Sequence, residues 1–414
     1  MTDTQFTFIF IVALAISSLT KFWLARRHLA HIEAHRAAVP DAFHEQIKLI
    51  DHQKAADYTS AKTRFSQLGI VFDAIILSAF TLGGGIQWIA NLCNGWFSSP
   101  LIQGMTALVA VLILSSLLEA PFNLYRTFII EAKFGFNKMT FSLYLIDALK
   151  GMLIGAVLGL PLLFGVLWLM ERMGDLWWLY VWSVWVSFNL LLLFIYPTFI
   201  APLFNKFSPM QDQTMKARIE TLLSKCGFTS SGLFVMDGSK RSAHGNAYFT
   251  GFGKTKRIVF FDTLLERLSI NEVEAVLAHE LGHFKHKHVV KRIAMTFVMS
   301  LGFLWLLGVL MQTTWFYQGL GVTTQSKAIA LLLFFLVLPV FSFLLSPILS
   351  AYSRKHEFEA DAYAAKQTAS GDLVTALVKL YQDNASTLTP DPLYSKFYDS
   401  HPPAAARIAN LQAQ

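Results

Sequence analysis

Residues 269–292, SINEVEAVLAHELGHFKHKHVVKR, run directly into the apolar stretch 293–311, IAMTFVMSLGFLWLLGVLM. The first half is polar and amphipathic, the second is about the roughly 20 residues needed to cross a bilayer, so one helix continuing into a membrane segment is expected. Ser269 and Glu272 form a capping-box pair that starts it, satisfying orphan backbone donors with a hydroxyl and a carboxylate. Within this helix His279 and His283 stand at i and i+4 on one face, where both rings can converge on a metal. Glu280, one residue round, can reach a water on that metal. Three fixed positions leave such a site incomplete. The stretch 354–361, RKHEFEAD, offers the missing parts, because Glu357 and Asp361 lie one helical turn apart. One carboxylate can bind the metal while the other holds a ligand histidine through its second ring nitrogen.

Working outward, 414 residues with 54% hydrophobic, 14% aromatic and only 15% charged content are far too apolar for an ordinary soluble protein. Stretches long enough to span appear at about Phe6 to Leu24, Ile70 to Leu92, Gly104 to Tyr125, Leu145 to Met170, Leu176 to Ile200, Ile293 to Met311 and Ala328 to Tyr352. The first lacks a preceding basic residue and is long for a signal-peptide core, so a retained anchor is expected. The formal charge of +7 lacks a basic run with interleaved aromatics, which argues against nucleic acid and for lysines and arginines anchoring membrane loops. Arg26, Arg27, Arg36, Lys48, Lys54, Lys62 and Arg64 follow the first span and no basic residue precedes it. The N-terminus is therefore expected outside and that loop in the cytosol. Alternation holds onward: Cys93 to Gln103 has no Lys or Arg, whereas the segment from Lys206 to Arg292 has many. His279 and Glu357 are separated by two spans, an even number, so both return to the cytosolic face.

The expected fold is thus mainly α, a polytopic membrane protein with about seven transmembrane helices and a small cytosolic α/β metallopeptidase unit of gluzincin type. Residues 1–200 carry five spans, 201–292 an α/β segment ending in the motif helix, 293–352 two further spans, and 353–414 a cytosolic helical tail with the third ligand. Inside 201–292, a helical pattern covers Met215 to Cys226 and strand-like runs cover Leu233 to Met236, Asn246 to Phe252 and Arg257 to Phe261, with Gly251 and Gly253 suggesting a hairpin turn. The run at Asn246, Ala247 and Tyr248 is either a core strand or an edge strand able to bind an extended peptide. Two amphipathic helices, Asp372 to Asp383 and Ala404 to Gln412, complete the tail. Cys93 and Cys226 give neither zinc-finger spacing nor a disulfide framework and read as free thiols. The acids Asp73, Glu119 and Asp147 either line a hydrated cavity or sit at cytosolic helix ends, where Asp147 can pair with Lys150.

With His279, His283 and Glu357 on zinc, one ion per chain, a fourth position stays open for water, as catalytic sites require. Zinc brings that water's pKa to about 7, Glu280 takes its proton as general base, and His401 and Arg407 are candidate donors to the developing oxyanion. A metzincin needs Gly at 286 and His at 289, but His286 and Val289 stand there. His286 and His288 read as surface or interfacial residues, and His244 and His356 receive no role. A site-2-type intramembrane protease would bury the motif in a span, whereas Lys285, Lys287, Lys291 and Arg292 crowd it here. A transporter or non-catalytic scaffold would need neither Glu280 nor zinc.

The combined motifs identify the chain as resembling the integral-membrane CAAX prenyl endopeptidases, seven-span zinc metallopeptidases. The motifs are Glu131 to Thr140, Tyr196 to Lys206, Asn246 to Phe249, the motif helix, Ser353 to Asp361, and His401-Pro402-Pro403 with Arg407. The resemblance implies His279, His283 and Glu357 as zinc ligands, Glu280 as general base, Asp361 as the partner of a ligand histidine, and Asn246 and Ala247 in a peptide-binding edge strand. It further implies His401 and Arg407 as transition-state or substrate contacts, and helices surrounding a water-filled chamber. The expected partners are a peptide or protein substrate, prenylated or not at a C-terminal CAAX, and the lipid bilayer. The expected location is a bacterial cell (inner) membrane, or the endoplasmic reticulum membrane in a eukaryote.

Overall fold

The computed structural model describes residues 1–250 and 255–413. Among them, seven helices are long and apolar enough to cross a membrane: Asp3–His35, Leu49–Phe80, Pro100–Glu131, Phe141–Arg172, Gly174–Phe204, His288–Leu310 and Lys327–Gln367. Large apolar side chains such as Leu19, Leu153 and Val298 stand exposed along them, which suits a hydrocarbon surrounding. At one end the bundle closes on a core that includes Phe10, Ile86, Val111, Trp177, Leu307, Phe316 and Leu333.

Two boundaries differ from expectation. The second span was expected at Ile70 to Leu92, but its helix is Leu49–Phe80 and a separate short helix, Gly85–Trp96, follows. Gly84 takes φ +77 between them, a conformation that costs glycine little and ends the helix. Hydropathy missed the polar first half of Leu49–Phe80, which is held by burial of His52, Ala55, Ala56 and Tyr58. The second difference is that the motif helix does not continue into its membrane segment. It spans Ile270–Lys285 and a new helix, His288–Leu310, begins after Lys287 at φ +57. A left-handed non-glycine residue costs about 1–3 kcal/mol and is kept where the surroundings demand it. The last span instead passes through a tight turn at Phe343–Leu345 into the helix Ser346–Gln367, which carries Glu357.

The soluble part holds a four-stranded sheet of order β1-β2-β4-β3, with β1 Phe207–Pro209, β2 Thr229–Met236, β3 Ala247–Thr250 and β4 Thr255–Phe261. β2 and β4 run parallel, while β1 and β3 are antiparallel edges. The short β1 has no alternating pattern of its own and was not expected. One core joins the sheet to the motif helix and to the helices Gln213–Lys225 and Ser370–Asp383, through Ile219, Leu223, Ile258, Phe260, Leu277, Leu281 and Leu373. The turn expected at Gly251 and Gly253 lies outside the described residues. Cys93 and Cys226 are buried and unpaired.

Asp147 pairs with Arg241 at 2.8 and 3.0 Å, not with Lys150, whose ammonium donates to the Leu203 carbonyl at 2.6 Å. Asp73 and Glu119 line a cavity of about 370 Å³ with Lys21, and the next cavity, of about 320 Å³, shares both acids and adds Lys62 and Arg126. Lys62 and Ser66 also line a third, of about 460 Å³, which reaches His401. Cavities that share lining residues thus succeed one another from the membrane helices to the tail.

Candidate active site

The site is built where the motif helix crosses the helix Ser346–Gln367. A Cβ added at Gly282 would lie 2.9 Å from the Ala360 Cα and 3.0 Å from its carbonyl oxygen, so the missing side chain sets how closely the two backbones approach. That approach brings His279, His283 and Glu357 together. The two Nε2 atoms are 3.2 Å apart, and each lies 3.4 Å from one Glu357 oxygen. A tetrahedron with arms of about 2.1 Å has edges of about 3.4 Å, the spacing of zinc ligands. Glu357 Oε2 is buried and accepts no hydrogen bond among the described residues, a costly state that a cation at the centre of the three donors relieves. The donor set therefore fits a metal, and it leaves one tetrahedral position unfilled by protein.

Behind the ligands lie two supporting arms. On one side His279 Nδ1 is 2.8 Å from Asp361 Oδ1, and Arg407 grips Asp361 through Nε at 2.8 Å and Nη2 at 2.6 Å. Asp361 and Arg407 are buried. Arg407, expected to touch the transition state, stands instead behind the ligands as a brace for Asp361, with Nη1 3.9 Å from Glu357 Oε2. On the other side His283 Nδ1 is 3.0 Å from His288 Nδ1, and His288 Nε2 is 2.9 Å from Glu359 Oε2. His288 is 1% exposed, so the surface reading of this residue is corrected, while His286 is exposed. His356 stacks on His288 with ring centroids 3.9 Å apart. Asp361 stands against His279 as its spacing from Glu357 suggested, but the outer parts have no local signal: Arg407 lies 46 residues from Asp361 and His288 lies 71 from Glu359. They are legible only once the helices are packed.

Electrostatics agree with a cation site. Burial opposes a charged His279 ring, but the hydrogen bond to Asp361 and the nearby Glu357 carboxylate outweigh it and raise its pKa to about 9, while burial and the neighbouring His279 lower His283 to about 3. Burial also pushes the Glu280 carboxyl up, with His279 acting against it and Glu357 adding to it. His401, exposed, holds Nε2 3.5 Å from Glu357 Oε1, on the open side of the ligands. β3 carries Ala247 and Tyr248 opposite Phe260 and Val259 and, among the described residues, has no partner strand on its outer side. The Asn246 carbonyl accepts from Phe261 N at 2.9 Å. Phe249 lies with its ring 5.6 Å from Phe284, so this edge runs beside the motif helix.

Residues 28–206 match the family model of the CAAX prenyl protease N-terminal region with five membrane helices, and residues 209–414 match that of peptidase family M48. The chain is similar to the CAAX prenyl protease 1 homolog of Arabidopsis thaliana, 34% identical over 372 residues and 87% of each chain. It is likewise similar to CAAX prenyl protease 1 of Saccharomyces cerevisiae, 34% identical over 404 residues, 90% of this chain and 88% of that one. The crystal structure of S. mikatae Ste24p superposes with a TM-score of 0.92 at 30% identity, covering 98% of this chain and 99% of that one.

Proposed function

The chain belongs to the CAAX prenyl proteases of peptidase family M48, and from that premise we propose a membrane-embedded zinc endopeptidase that removes the C-terminal tripeptide from prenylated CAAX peptides. The observation that carries the reading is the triangle of His279, His283 and Glu357 donors at 3.2–3.4 Å around an orphaned buried carboxylate oxygen. His279, His283 and Glu357 would hold one zinc ion there, and that ion would supply the Lewis acidity that activates a water and the scissile carbonyl.

The chain's own groups do the rest. An extended peptide pairs with the free edge of β3 at Asn246, Ala247 and Tyr248, through main-chain hydrogen bonds. Glu280 takes the proton of the attacking water and passes it to the leaving amine. His401, on the open side, donates to the carbonyl oxygen as charge develops. Asp361, braced by Arg407, keeps His279 oriented. A cavity of about 580 Å³, lined by Val166, Trp185, Met299, Phe303 and Phe335, reaches His356, one residue from Glu357. It offers an isoprenoid chain an apolar home beside the scissile bond. The loop charges support an outside N-terminus with the site and tail at the cytosolic face.

Hydrolysis of a farnesylated CAAX peptide and its unprenylated twin by detergent-purified protein tests the reading, with zinc assayed on wild type and Glu280→Gln. Wild type is expected to cleave the farnesylated peptide faster, and Glu280→Gln to keep its zinc while losing about 10²–10⁴-fold in rate. Equal cleavage of both peptides would reduce the activity to a general endopeptidase. Absence of zinc with no cleavage would leave a non-catalytic membrane scaffold, and a Glu280→Gln variant as active as wild type would overturn the assigned mechanism.

A further inference from the structure

We propose that His286, His288 and Glu359 form a second divalent-cation site beside the peptidase centre, and that filling it opposes the metal held by His279, His283 and Glu357. The three side chains meet at the break between the motif helix and the sixth membrane helix. Lys287 at φ +57 turns the backbone so that His286 and His288 lay their rings side by side, centroids 5.4 Å and planes 14° apart. Glu359, two residues beyond Glu357 on the facing helix, puts Oε2 2.9 Å from His288 Nε2. One donor atom from each of the three residues lies within 4.8 Å of the others. Two imidazole nitrogens and one carboxylate suit zinc and its first-row neighbours. The spread is wider than the edges of about 3.4 Å in a closed zinc tetrahedron. An exposed His286 at the helix end closes it by turning inward.

The opposition follows from where ring protons must sit. His283 and His288 face each other through Nδ1 atoms 3.0 Å apart, a hydrogen bond that holds one proton. With the peptidase metal on His283 Nε2, the His283 proton is on Nδ1 and His288 must accept it with a bare Nδ1. The His288 proton is then on Nε2, donated to Glu359, and every group is satisfied. A cation on His288 Nε2 reverses this: the remaining ring proton moves to Nδ1 and meets the His283 proton head-on. The rings must separate, so one ion weakens the hold on the other, and such coupling is reciprocal. The coupling rests on His283 being a ligand of the peptidase metal; the second site itself does not.

Charge fixes the order of filling. The second site has one carboxylate, whose other oxygen is 3.8 Å from the Lys355 ammonium, and Lys285, Lys287 and Lys291 flank its histidines in sequence. The first has Glu357, with Asp361 and Glu280 near and, among the described residues, only Arg407 offsetting them, which leaves it the more negative of the two. The second ion is therefore held more weakly, by at least about tenfold.

Full-length protein in detergent, stripped with a chelator and dialysed against a series of buffered zinc concentrations, is assayed for bound zinc and for peptide hydrolysis. Wild type is expected to gain activity with the first equivalent and lose at least about fivefold with the second. His286→Leu should bind a single equivalent, keep the wild-type basal rate and stay active at the highest zinc. Glu359→Gln, which keeps an acceptor for His288 but loses its charge, should move the second binding step to higher zinc. A wild type that never takes a second equivalent overturns the proposal. So does a His286→Leu protein inhibited at the same zinc as wild type, since excess zinc would then act at the peptidase centre. Failure of the peptidase reading looks different: no tight ion that His283→Ala removes, with a weak, His286-dependent ion still bound.

Discussion

Asp361 is fully buried, shared between a guanidinium fork and the Nδ1 of a ligand histidine. A carboxylate in that position fixes the ring's tautomer and raises its basicity, which is why such partners matter nearly as much as ligands. Asp361→Asn is expected to weaken zinc binding about 10–100-fold by chelator competition, because the amide brings no charge to offset Arg407. Glu272 illustrates a residue whose charge serves the fold. Its Oε2 accepts from Ser269 N and from the Lys379 ammonium, both at 2.7 Å. Burial works against the ionised carboxyl, but the hydrogen bonds from Lys379 and Ser269 prevail and hold its pKa below the usual value. A carboxyl lowered on folding adds stability above its unfolded pKa, about 4.3, and loses it as pH falls through the folded value. The melting-temperature gap between wild type and Glu272→Gln should be widest above the unfolded pKa and close as pH falls through the lowered folded value.

Between elements, the crossing at Gly282 and Ala360 governs the triangle of His279, His283 and Glu357, since these side chains stand on the faces where the two helices meet. Gly282→Ala places a methyl 2.9 Å from a backbone atom, which cannot rotate away as a side chain can. Thermal unfolding should show a loss of about 1–3 kcal/mol, and zinc content should fall with it, while an alanine at the open Gly155 should leave both unchanged. Local patterns carried much of this architecture into the sequence. The capping box at Ser269, the i, i+4 histidines and the tail helices Ser370–Asp383 and Ala404–Gln412 are each written within a dozen or so neighbouring residues. The helix break at Lys287, the polar start of Leu49–Phe80 and the buried His288 are different. Each is decided by what packs against it, so neither hydropathy nor periodicity reports it. Arg407 shows the same limit, because the sequence reading pointed it towards the oxyanion or substrate and only packing sets its guanidinium on Asp361.

Across the whole molecule, the tail is tied back onto the membrane helices. Arg27, on the first span, meets the buried Asp391 through Nε at 3.1 and 2.9 Å, and Gln382 in the tail donates to Asp51 on the second at 2.9 Å. His28 stacks on Tyr394 with centroids 4.0 Å apart. His401 follows this segment, so Arg27→Ala should speed hydrogen exchange through Pro392–Tyr398 and lower peptide hydrolysis without changing zinc content. Unchanged exchange there would show that the tie bears no load. The Arg407 brace has a consequence in time as well. Ribosomes deliver a chain from its N-terminus, and His279 emerges 128 residues ahead of Arg407, roughly 6–25 s earlier at ordinary rates of synthesis. Throughout that interval the histidines lie beside the membrane without their carboxylates clamped, amid other unfinished polypeptides. The peptidase centre is therefore expected to reach its full hold on a metal only after translation has passed Arg407.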